Sequence, residues 1–180
     1  MTYPSWSYFP RNVRPPGWAA SLVEVVRSAE DAISTAEHKT GLGSDAVLGE
    51  LRSGLLALGY AVETGKTRAE KISRPVLFGE NGAASVTYEI DAFHDELGIA
   101  VEVEAGRGAA NNADYRDIVR TSLILDARCM AILMPLHYRS TSGGREYVVH
   151  AYERSRNQMD AIYASMRLRL PFDGILVVGY

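Results

Sequence analysis

The chain has 180 residues, 47% of them hydrophobic and 23% charged, a balance that fits one soluble domain with a core of its own. No apolar run approaches the length that spans a bilayer, and the single cysteine, Cys129, excludes an intrachain disulfide or a cysteine-rich zinc site. A net charge of −3 gives no basic excess of the kind nucleic-acid binders usually carry, although clustered carboxylates would lower the total without removing a local basic face.

Residues 1–20 mix aromatics and prolines with Arg11 and Arg14 and carry no apolar signal stretch; they read as an extended N-terminal arm on a cytoplasmic protein. Residues 21–180 read as a single α/β domain. Over 21–38, Leu22, Val25, Val26, Ala29, Ala32, Ile33 and Ala36 recur at helical spacing. A second helix is expected at about 45–58, with Val47, Leu48, Leu51, Leu55 and Leu58 on one stripe and Gly59 as its terminator. A short strand near 60–64 leads to a basic linker with Lys66, Arg68, Lys71 and Arg74, then an edge segment at 75–78. Residues 86–93 and 99–105 are the clearest strands, joined by a turn at Asp95-Glu96-Leu97-Gly98. A helix over 112–127, a buried strand near 128–134, a polar loop at 138–145, a long helix near 147–167 and a last strand from Gly174 complete the chain. The order predicts a central mixed β-sheet flanked by helices.

The strongest chemical signal is the hairpin of 86–93 and 99–105. Side chains alternate along a strand, so Glu89, Asp91 and Phe93 share one face of the first strand, and Ala100, Glu102 and Glu104 share one face of the second. A turn centred between Glu96 and Leu97 pairs Phe93 with Ala100, Asp91 with Glu102 and Glu89 with Glu104. That register gathers four carboxylates on one face, where like charges repel unless they take up protons or a cation. A hard divalent cation suits such oxygen ligands. A solvent-exposed acidic face of an ordinary hairpin is the competing reading.

In these residues the chain resembles the PD-(D/E)XK (restriction-endonuclease-like) nuclease superfamily, over about 45–134. Asp91 matches the motif aspartate, Glu102 the (D/E), and Glu104 stands where lysine is usual, an E-x-E variant; Ile90 replaces the proline. The resemblance implies a restriction-endonuclease-like core and a divalent-metal-dependent endonuclease acting on double-stranded DNA, such as a restriction or defence enzyme. It implies Mg²⁺, with Mn²⁺ as substitute, held by Asp91, Glu102 and the Val103 carbonyl. Glu104 would be the water-activating base, and Glu50, on the second helix, would hold a second metal or a metal-bound water. Arg107, Lys66, Lys71 and Arg116 are the candidate cations for nucleic acid. A homodimer is expected by analogy, since two sites would serve two strands. The alternative is a catalytically inactive nuclease-fold domain, a nucleic-acid-binding or assembly subunit. No histidine pattern for zinc and no nucleophile motif competes.

Overall fold

Three parallel strands at the centre of a six-stranded sheet set the architecture of the computed structural model, which describes residues 3–36, 41–106 and 111–180. They are β6 (Ile99–Val103), β7 (Cys129–Met134) and β10 (Gly174–Gly179). All six residues of β7 and all six of β10 are buried, as expected of parallel strands covered on both faces. The sheet runs β1-β10-β7-β6-β5-β2, with β1 (Ser5–Phe9), β5 (Ala92–His94) and β2 (Ala61–Val62) all antiparallel to their neighbours. This is the mixed, helix-flanked sheet expected from the element order.

Two apolar layers cover it. On one face α1 (Gly17–Ser28) and α3 (Ser44–Ala57) lay Leu22, Val26, Val47, Leu48, Leu51 and Leu55 against Val101, Val103, Leu133 and Val178, and α2 (Glu30–Ile33) adds Ile33. On the other, Ile118 of α4 (Ala113–Thr121) and Tyr152 and Met159 of α5 (Ala151–Ser165) meet Phe93, Ala100, Met130, Ile132 and Val177. Each such fully buried leucine contributes about 2 kcal/mol. Gly59 closes α3 at φ +90°, the left-handed position that favours glycine. Among the described residues, no helix is long and apolar enough to cross a membrane.

Several elements differ from the sequence expectation. The first helix starts earlier, at Gly17 behind Pro16, and stops at Ser28, where Ala29 leaves helical geometry. Ser5–Phe9, inside the expected arm, is an edge strand on β10. The polar loop and the start of the last long helix are instead a ribbon, β8 (Tyr138–Ser142) with β9 (Arg145–Val149), and α5 begins only at Ala151. Gly143 and Gly144, both at positive φ, form the two-residue turn such a hairpin requires. The helix expected over 112–127 ends at Thr121.

The carboxylate hairpin is also rearranged. Phe93 does pair with Ala100, but the first strand is broken at Asp91. Up to Ile90 it is β4 (Ala84–Ile90), which pairs with β3 (Ile72–Phe78) in a separate ribbon. Glu89 therefore faces Ser73 in that ladder, and the expected pairing of Glu89 with Glu104 does not form. Nor are the two faces of the hairpin apolar and acidic: Ala100 and Phe93 lie in the second core layer and Ile99, Val101 and Val103 in the first. Phe93 and Ala100 are covered by α4 and α5, while Glu89, Asp91, Glu102 and Glu104 line an open cleft.

Candidate active site

Asp91 stands at the crossing from ribbon to main sheet, between β4 and β5. The Val103 amide donates to its Oδ2 over 2.7 Å, and its own carbonyl accepts from the Glu63 amide at 2.9 Å. Burial pushes the Asp91 carboxyl up to about 6, the Val103 amide opposing and the nearby Glu63 charge assisting. Glu102, near the end of β6, is driven well above the usual carboxylate range by burial and by the charges of Asp91 and Asp117.

Glu104 follows β6, its amide donating to Leu133 O at 2.9 Å and its carbonyl accepting from the Tyr180 hydroxyl at 2.7 Å. Burial and the neighbouring carboxylate of Asp117 on α4 push Glu104 up to about 9, while Arg116 pulls the other way. Arg116 holds both acids, donating to Glu104 Oε1 at 3.1 Å and to Asp117 Oδ1 at 3.0 Å. Asp117 Oδ2 is buried with no hydrogen-bond partner among the described residues.

These groups line one cleft of about 370 Å³, to which Lys71, Glu63, Val103 and Arg120 also contribute. The structure thus brings together Asp91, Glu102, Val103, Glu104, Lys71 and Arg116 from the sequence-derived set. It does not bring Glu50, which is exposed on α3 and lines a separate groove of about 590 Å³ between α1 and α3. Lys66 stays outside the cleft wall, its exposed ammonium 2.9 Å from Asp45. Arg107 lies outside the described residues.

Two acids were not anticipated. Glu63 follows β2, where its place in a short strand gave no sign of proximity to Asp91. Asp117 had a readable signal: Asp114 and Asp117 fall on the same helical stripe as Ile118 and Thr121, so both carboxylates had to be buried.

Among the described residues, no three His, Cys, Asp or Glu side chains converge closely enough as they stand to hold a metal ion. Asp91 already faces an amide and Glu104 a guanidinium. The donors are nonetheless hard carboxylate oxygens with raised proton affinity, and the unpartnered Asp117 Oδ2 adds another, so the donor chemistry fits a hard divalent cation.

A mixed sheet with this site at the ends of β5 and β6, flanked by helices on both faces, is a restriction-endonuclease-like fold. Among solved structures it is similar to the crystal structure of restriction endonuclease BglII complexed with a DNA 16-mer, over 99% of this chain and 76% of that one, with a TM-score of 0.52 and 13% identity. At that identity the likeness is one of fold. No protein family and no curated protein matches the sequence.

Proposed function

We propose that the chain is a divalent-metal-dependent endonuclease that hydrolyses DNA phosphodiester bonds, of the restriction or defence kind, using Mg²⁺ with Mn²⁺ as substitute. The observation that carries this reading is the meeting of Asp91, Glu102 and Glu104 in one part-buried cleft of a restriction-endonuclease-like fold. Asp91 and Glu102 would hold the cation, with the Val103 carbonyl as a further oxygen. When bound, such a cation neutralises charge on the phosphate and makes water a better nucleophile. Glu104 would serve as the base for the attacking water, a role open to it in its deprotonated form. Arg116 faces the phosphate from α4. A second copy of the chain would offer a second cleft to the second strand.

One observation favours the non-catalytic alternative: the carboxylates as they stand are engaged by Arg116 and by an amide. Calorimetry separates the two. Wild type is expected to bind Mn²⁺, and Glu102→Ala, shown folded by circular dichroism, to bind at least tenfold more weakly. Cleavage of mixed-sequence duplex DNA is then assayed with both proteins. If wild type and variant bind alike, or neither binds even with duplex present, the catalytic reading is overturned and a nucleic-acid-binding or assembly subunit takes its place.

A further inference from the structure

We infer that Lys71, fixed by the buried carboxylate of Glu63, is a cation that contacts a backbone phosphate of DNA in this cleft, supplying from outside the hairpin the positive charge that Glu104 leaves missing. The inference rests on the nuclease reading and names the residue pair that positions the substrate.

Glu63 and Lys71 both line the cleft beside Asp91 and Glu102. The ammonium donates to both carboxylate oxygens of Glu63, at 2.9 and 2.8 Å, with side-chain exposures of 20% for Lys71 and 8% for Glu63. Glu63 is itself held at both backbone groups. Its amide donates to Asp91 O at 2.9 Å, and its carbonyl accepts from Arg52 of α3 at 2.9 Å. The position of Lys71 is thereby locked to the Asp91 backbone and to the core helix.

A buried ion pair is a poor source of stability, since desolvation offsets most of its attraction and an apolar pair commonly serves as well. Folding alone therefore does not account for this pair at the cleft wall. An ammonium has three donors. Two go to Glu63, and the third has no partner among the described residues. The other cations of the cleft are placed differently. Arg116 is held by Glu104 and Asp117, acids of the site itself, and Arg120 lies over the Tyr88 ring and reaches Glu89 O at 3.5 Å. Lys71 has an anchor of its own, Glu63, and draws on neither Asp91 nor Glu104. A compact, fixed point charge suits a phosphate oxygen.

The test compares wild type with Glu63→Gln/Lys71→Met, in which one charge of each sign is lost and no buried charge is left unpaired. A thermal melt checks the fold. Binding of a fluorescein-labelled mixed-sequence duplex is followed by anisotropy across salt in Ca²⁺, together with Mn²⁺ binding by calorimetry. Each phosphate contact adds roughly 0.9 to the slope of log affinity against log salt. The double variant is expected to lose slope, by up to about one unit, and still to bind Mn²⁺, and Lys71→Arg, with Glu63 intact, to keep the wild-type slope. A wild type that binds duplex with a slope the double variant shares overturns the role of Lys71 alone. A wild type that does not bind duplex overturns the DNA-directed reading and the role of Lys71 with it.

Discussion

The Val103 amide donates to Asp91 Oδ2 over 2.7 Å, joining two residues twelve apart in the chain at the one place where the first hairpin strand is broken. In a continuous ladder that amide would need a backbone acceptor. Here a side chain satisfies it, so the same contact that lets the chain cross from ribbon to sheet also aims Asp91 at the cleft.

The two jobs of Asp91 separate by substitution. Asp91→Asn keeps an oxygen for the Val103 amide and removes the charge, so it should fold normally and lose Mn²⁺ binding. Asp91→Ala orphans a part-buried amide as well, which costs about 1–3 kcal/mol. Urea denaturation with calorimetry checks both. Equal stability of the two variants would show that the amide has no need of Asp91.

The metal-free protein should lose stability as pH rises. The folded state raises Asp91 from 3.8 to about 6 and Glu104 from 4.5 to about 9, so it binds these protons more tightly than the unfolded chain does. Their contribution is full below about pH 4 and is lost as pH climbs through 6 and on toward 9. A two-unit shift corresponds to at most about 3 kcal/mol. The melting temperature in EDTA is expected to fall between pH 5 and pH 9, and added Mg²⁺ to raise it more at the upper end. A flat profile in EDTA would show that these carboxyls are not desolvated.

Much of the sheet was legible because its central strands are short apolar runs bounded by turn residues, as at Cys129–Met134 and Gly174–Gly179. The pairing of Phe93 with Ala100 followed from the turn at Asp95–Gly98. The break at Asp91 was not legible, since Val86–Phe93 alternates as well as any unbroken strand and only tertiary pairing with Ile72–Phe78 divides it. Local periodicity likewise places Asp91, Glu102 and Glu104 near one another but says nothing of Glu63 or Asp117, which arrive from other elements. The β8–β9 ribbon was missed although Gly143-Gly144 is a hairpin signal and Tyr147, Val148 and Val149 favour a strand, because the long helix that begins at Ala151 was extended back over them.

Glu50 shows where helical spacing was insufficient. It lies beside the apolar stripe of α3, yet the helix is rolled so that Val47, Leu48, Leu51 and Leu55 face the sheet and Glu50 faces the groove toward α1. Glu50→Gln should therefore leave Mn²⁺ affinity unchanged within about twofold, on the small effect of remote surface charges in salt. A tenfold loss in calorimetry would require α3 to turn in solution.

Glu104→Lys would place an ammonium between Arg116 and Asp117. Two effects oppose each other. The ammonium would face the Arg116 guanidinium, which loses one of its two acid partners. It would also end the crowding of Glu104 against Asp117, Asp91 and Glu102. The second effect should win: Asp117 outweighs Arg116 in setting the proton affinity of Glu104, and the Arg116 side chain is 60% exposed with Asp117 still bound. The metal-free variant at pH 8 is expected to melt higher than wild type, by about 2–4 °C per kcal/mol of repulsion removed. Its decline in stability above pH 6 should flatten, and its Mn²⁺ affinity should drop as the cleft loses one carboxylate. A lower melting temperature would mean that the Arg116–Glu104 bond outweighs the acid crowding, and that Glu104 is held in the fold chiefly by its cation.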